Sequence, residues 1–299
     1  MTINRLGSGA SEVYLFEPAG PSPERAPVVV LGHGWAAVTP NHYGSWIAHI
    51  VRRGYTVVFP RYQADARTPV PAFTGNAVGA VRRAIEALNA PGHVRPDERG
   101  IALVGHSMGG LVVSNLAVRA AAGELPPPLA LMVVTPGKTW PESSPIAFPL
   151  EDLSELPSSL LLLAVIGDDD DFVGEVDARK VYKDAAAVPL SNKDYVRLFS
   201  DDHGAPSLVA DHRAPAAPLR LVDDDAVDAV PAPQFARLPG RPSSREVPVT
   251  NALDYFGTWK LFDGLVDAVF EVFTASTRSA VHASSATWGI GAIGRRFAS

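Results

Sequence analysis

Six short apolar runs set the strongest limit on how this 299-residue chain can fold: residues 28–31, 55–59, 101–104, 129–134, 160–166 and 195–199. Each run is continuous. A strand with one wet face alternates apolar and polar side chains, so unbroken runs predict strands covered on both faces. Four of the five gaps between them hold helical patterns. Residues 42–53 end at Gly54, and residues 74–89 start at Thr74 and stop before Pro91 and Gly92. Residues 108–122 end at Gly123, and residues 175–187 end before Pro189. Glycine just past a helix and proline soon after it are the expected stop signals. Strands alternating with helices predict an α/β fold with a mostly parallel central sheet and helices on both faces.

The predicted organisation is one domain over residues 1–273, followed by a Ser-, Ala- and Gly-rich tail over 274–299, expected to be flexible. Inside the domain, a proline-rich excursion at 205–250 breaks the strand–helix rhythm. It holds eight prolines, a density that suits neither helix interiors nor central strands. After it, Phe262, Leu265, Val266, Val269, Phe270 and Phe273 keep helical spacing and predict a helix with one buried stripe.

Composition narrows the function classes. A hydrophobic fraction of 46% against 19% charged residues supplies a core and excludes wholesale disorder. A net charge of -6 disfavours a nucleic-acid partner, which calls for a basic stripe. With no cysteine, a disulfide scaffold, a thiolate metal site and a cysteine nucleophile are excluded. The N-terminal residues lack the pattern of a secretory signal, and no apolar run reaches membrane-spanning length. A cytoplasmic protein with no membrane span is the resulting expectation.

Chemistry concentrates where the run 101–104 meets Gly105-His106-Ser107-Met108-Gly109 and an apolar helix. In a strand-to-helix turn this sharp, the G-x-S-x-G spacing lifts the serine hydroxyl above the sheet. The flanking glycines let neighbouring backbones close in. A serine hydroxyl is a weak nucleophile and needs a base, which in turn needs an orienting acid. In the fold expected around such a turn, the chain order should be serine, acid, histidine. The run 160–166 leads into Asp168, Asp169, Asp170 and Asp171, of which one is required and chemistry alone leaves the choice open. The run 195–199 leads into His203, the expected base at a strand's C-terminal edge, with His212 the rival nine residues on. Two backbone donors should receive the oxyanion: the amide after the nucleophile, Met108, and that of Trp35 after His33-Gly34. The Trp35 indole and Tyr62, on the same sheet edge, are the expected substrate contacts.

These residues resemble the α/β-hydrolase family over roughly residues 28–203 and the last helix. His33-Gly34 is similar to that family's oxyanion loop, and Gly105–Gly109 to its nucleophile elbow. The acid loop 167–173 is similar to its G-x-x-D pattern followed three residues later by Val, which selects Asp170, with Asp171 as fallback. The elbow with Gly110 appended also resembles that of bacterial cutinase-like and polyester-cleaving esterases. The interval between the runs ending at Val134 and starting at Leu160 leaves little room for the helical cap of many relatives. The resemblance implies a Ser107–Asp170–His203 hydrolase of small-molecule carboxylic esters working through an acyl-enzyme, with no cofactor and no metal. Acyl transfer, perhydrolysis or amide cleavage share its first half-reaction, and a non-catalytic binding protein could share the fold.

Overall fold

The computed structural model describes residues 1–65, 67–144, 146–223 and 248–270. Among them, eight strands form one sheet: β1 (Thr2–Leu6), β2 (Glu12–Glu17), β3 (Arg25–Gly32), β4 (Thr56–Arg61), β5 (Arg95–His106), β6 (Pro128–Val134), β7 (Leu161–Gly167) and β8 (Lys193–Leu198). Their spatial order is β1-β2-β4-β3-β5-β6-β7-β8. From β4 to β8 every neighbouring pair is parallel, while β1 and β2 join as an antiparallel edge. The six apolar runs became β3 to β8, as their two-sided burial requires.

Among the described residues, five α-helices cover the sheet: α1 (Gly44–Arg52), α2 (Phe73–Leu88), α3 (Met108–Ala121), α4 (Val176–Asp184) and α5 (Trp259–Phe270). Alternate strand residues serve opposite faces. Val28 and Val30 of β3 belong to one buried cluster with Phe73 of α2, Leu111 of α3 and Val181 of α4. Val29 and Leu31 belong to the cluster on the other face, with Ile47 of α1 and Phe262 and Val266 of α5. The predicted stripe of the last helix is buried at Phe262, Leu265, Val266 and Phe270, whereas Phe273 and the tail 274–299 lie outside the described residues. Polar ties lock α5 to α1, with Asp263 accepting from His49 at 2.9 Å and from Arg53 at 3.2 Å.

The β1–β2 pair was not among the expected strands. β1 is mostly polar, with only Ile3 and Leu6 apolar, and lies at an exposed edge. The apolar centre of β2 is short and bounded by Glu12 and Glu17, which reads as a surface segment. Both carboxylates are nevertheless buried. Glu12 takes Arg5 and Arg61, and Glu17 accepts from His93 and from the Val94 amide, both at 2.8 Å.

Between β6 and β7 the only helical turn among the described residues is the short Leu153–Glu155, so no helical cap stands there. The proline-rich excursion divides. Residues 224–247 lie outside the described residues. Residues 205–223 return from β8 across the sheet edge and bind the start of α1: the Ser45 amide donates to Ala217 O at 2.9 Å, and Asn41 Oδ1 accepts from the Leu221 amide at 2.8 Å.

One buried acid gives the fold a pH signature. Asp254, one turn before α5, is 1% exposed. Oδ2 accepts the Asn251 amide at 2.8 Å, and Oδ1 has no partner. Burial pushes its carboxyl up to about 6 despite that hydrogen bond. The native state therefore holds this proton more tightly than the unfolded chain, and stability falls as pH rises from about 4 through about 6. Asp254→Asn removes the dependence. Across thermal melts from pH 4.5 to 7.5, the variant should gain about 2 kcal/mol relative to the parent. Parallel pH profiles for the two proteins would contradict this account.

Candidate active site

The polar groups collect along the C-terminal ends of the parallel strands, where an open α/β sheet binds ligands. β5 ends at His106 and α3 begins at Met108, so Ser107 alone makes the turn, with φ 55° and ψ -127°. That is a conformation side chains rarely adopt, and it costs of order 1–3 kcal/mol. The glycines allow it. A Cβ on Gly105 would lie 2.2 Å from the Gly109 carbonyl oxygen, and one on Gly109 would lie 2.2 Å from that of Gly32. Strand, turn and helix thus approach closer than any side chain permits.

The structure brings Ser107 and Asp170 to one histidine, and it is not His203. His212 Nε2 lies 2.9 Å from Ser107 Oγ, and His212 Nδ1 lies 2.8 Å from Asp170 Oδ2. His203 does not reach this group: its side chain is 92% exposed and turns back onto Asp201 Oδ1 at 2.8 Å. The reason is the path of the chain after β8. Instead of offering its first histidine, the segment folds into a tight loop closed by paired Asp201–Leu208 backbone bonds, both 2.8 Å. It then runs back beside the acid loop, with the Asp169 amide donating to Ala210 O at 3.1 Å. Gly167 permits this approach, since a Cβ there would meet Ala210 O at 2.0 Å. Asp211 Oδ1 accepts the amides of Arg213 and Ala214 at 2.8 and 2.9 Å, forming a turn that presents His212 inward. That Asx turn was the available sequence signal.

Among the four consecutive aspartates only Asp170 is buried; Asp168, Asp169 and Asp171 are exposed. Asp168 instead accepts the Ser200 amide and hydroxyl, at 2.9 and 2.7 Å. Asp170 Oδ1 accepts the amides of Phe172 and Val173 at 3.0 and 3.1 Å. Burial alone would push its carboxyl up, but His212 and these two amides outweigh burial and hold it below the usual range. An ionised carboxylate fixed this way holds the proton on His212 Nδ1 and leaves Nε2 free to accept from the serine. The Phe172 ring covers His212, 4.9 Å between centroids, and Lys138 Nζ stands 4.9 Å from that same ring.

Met108 is the first residue of α3, so its amide is one of the helix-start donors without a partner inside the helix. Across from it, the 33–37 loop is pinned on both sides of Trp35. The Gly34 amide donates to Tyr43 Oη and the Ala36 amide to Gln63 Oε1, both at 2.9 Å. The Trp35 side chain is half-buried and its ring lies 5.7 Å from that of Phe73. Tyr62 is not placed to touch a substrate. It is fully buried, its ring stacks on His33 at 4.0 Å, and its hydroxyl donates to the His33 carbonyl. The side chain faces into the core and braces the 33–37 loop from beneath. His33 is likewise buried, donates through Nδ1 to Gly34 O at 2.8 Å, and is held neutral by burial, its pKa lowered to about 3.

Residues 28–161 match a family model described as the alpha/beta hydrolase fold. No curated protein matches the chain by sequence. Solved structures match it by fold. A fungal esterase from Rhizomucor miehei superposes with a TM-score of 0.62 at 14% identity, over 91% of this chain and 84% of its own. A thermostable esterase from Pseudomonas putida gives 0.51 at 15% identity, over 66% of this chain and 72% of its own. With a largely parallel eight-stranded sheet, helices on both faces and a strand–serine–helix turn at its centre, the chain has the α/β-hydrolase fold.

Proposed function

We propose that the chain hydrolyses small carboxylic esters through a covalent acyl-enzyme on Ser107. The observation that carries this reading is the unbroken string from Ser107 Oγ to His212 Nε2, 2.9 Å, and from His212 Nδ1 to Asp170 Oδ2, 2.8 Å. Both lengths suit proton transfer between positioned groups. Ser107 Oγ bonds to the ester carbonyl carbon while His212 takes its proton. The carbonyl oxygen becomes an oxyanion, received by the amides of Met108 and Trp35; one such donor typically contributes about 3 kcal/mol to the barrier reduction. The C–O bond of the ester then breaks, and His212 returns the proton to the departing alcohol. Water, giving a proton to His212, attacks the acyl carbon. Ser107 leaves with that proton and the free acid is released. Asp170 stabilises the imidazolium in both halves. These steps call for no metal and no organic cofactor.

Two features favour esters of modest size. Nothing among the described residues between β6 and β7 roofs the site as a helical cap would. The rim is aromatic, with Trp35 on one side and Phe172 beside His212 on the other. The two solved structures compared above are described as esterases, which supports the same class. A fluorophosphonate probe tests the reading directly. Folded protein should be labelled at Ser107, found by peptide mass, and should turn over p-nitrophenyl acetate and butyrate. Unlabelled Ser107 in folded, monodisperse protein would overturn it.

A further inference from the structure

We infer that His106 and Tyr43 are positioning residues that tie the oxyanion loop to the loop bearing the base; this rests on the hydrolytic reading above. His106 immediately precedes the nucleophile and points to the rear of the turn. Its Nε2 lies 2.8 Å from the His212 carbonyl oxygen, and its Nδ1 lies 2.9 Å from Tyr43 Oη. A carbonyl oxygen only accepts, so Nε2 carries the proton and donates to it. Burial and the neighbouring His212 hold His106 neutral, its pKa lowered to about 3. Nδ1 of the neutral ring is therefore bare and accepts the Tyr43 hydroxyl proton. The Tyr43 oxygen in turn accepts the Gly34 amide at 2.9 Å. Each polar atom in this string has one available role, and together they fix its direction: Gly34 N–H to Tyr43 O–H to His106 to His212 C=O.

The string answers a problem posed by the chain path. His212 sits on a loop, not at the end of a regular element, and its ring must stay within hydrogen-bond reach of Ser107. His106 holds the His212 backbone, and Asp170 holds its ring. Tyr43, 1% exposed, has no freedom to swing away. At the far end, Gly34 precedes Trp35, and a Cβ on Gly34 would meet Tyr43 Oη, His106 Nδ1 and Ser107 Cβ at 3.3 to 3.4 Å. Oxyanion loop, nucleophile turn and base loop are thus joined through a single neutral imidazole. A displacement of about 1 Å among such groups can cost roughly 100-fold in rate.

The test compares Tyr43→Phe, His106→Leu and His106→Gln with the parent protein. Phenylalanine keeps the packing and removes the hydroxyl. Glutamine keeps a side-chain N–H able to reach the His212 carbonyl. Tyr43→Phe and His106→Leu should each lower kcat on p-nitrophenyl butyrate by roughly 10- to 100-fold, with KM within about twofold. His106→Gln should recover most of the loss, and the double variant should lose less than the product of the single losses. Imidazole 15N NMR of the parent should find His106 as the Nε2–H tautomer, without titration from pH 5 to 8. Folded variants with parental kcat, no recovery by glutamine, or losses that multiply independently would each overturn the proposal, as would an Nδ1–H tautomer. Failure of the hydrolytic reading is separate: it would appear as unlabelled Ser107 in the parent while the tautomer still holds.

Discussion

Ser107→Ala should leave a folded protein whose ester turnover is lower by about 10⁴- to 10⁶-fold, measured with p-nitrophenyl butyrate. The size follows from what the substitution deletes. Without Oγ no acyl-enzyme forms, His212 has no proton to take, and Asp170 orients a base with nothing to act on. Only the oxyanion amides and binding would remain, and these still act on a bound ester attacked by water. Stability should behave differently from activity. Alanine inherits the φ of 55° imposed at position 107, so its melting temperature should stay near that of the parent. Ser107→Gly relieves the turn instead. Of the 1–3 kcal/mol typical of such strain, glycine gives back roughly 0.5–1 in unfolded-chain entropy. Ser107→Gly should therefore be more stable than Ser107→Ala by about 1 kcal/mol, and equally inactive. Ser107→Gly melting below Ser107→Ala would contradict a strained nucleophile turn.

What could be read in the chain was what local physics enforces. A buried parallel strand must be apolar on both faces, so β3 to β8 announced themselves. A serine at a strand-to-helix turn needs glycines where Gly105 and Gly109 stand, because backbone atoms occupy the space of their side chains. The hairpin β1–β2 was hidden, since its two end carboxylates, Glu12 and Glu17, are satisfied by Arg61 and His93, both distant in sequence. Which histidine meets Ser107 and Asp170 was hidden for a related reason. Reading the first histidine after a strand as the base assumes the shortest path from sheet to site. This chain takes a longer one, closing the Asp201–Leu208 loop before it reaches the acid. Nothing local to His203 reports that detour. Its marks in the sequence are Gly167, whose missing side chain makes room for Ala210, and Asp211, whose turn aims the next residue inward. Tyr62 was misread because a residue at a strand's catalytic end can face either way, and its neighbour His33 supplies a stacking partner and an acceptor in the core.

The two histidines of this segment give the sharpest contrast. His212→Ala should cost about 10⁴-fold or more in kcat, because serine and base act as one unit. It should also raise the Asp170 carboxyl, whose hydrogen bond and charge interaction with His212 hold it down against burial. His203→Ala should change kcat and KM by no more than about twofold, since surface substitutions away from such a unit rarely matter. A combined Ser107→Ala/His212→Ala protein should be no less active than either single variant, as expected when one removal already disables the unit. The reverse pattern, a crippled His203→Ala beside an active His212→Ala, would require the loop after β8 to rearrange in solution. It would have to open the Asp201–Leu208 pairing and withdraw Ala210 from Gly167. Those contacts are backbone to backbone and indifferent to either imidazole, so neither substitution supplies a force that would break them.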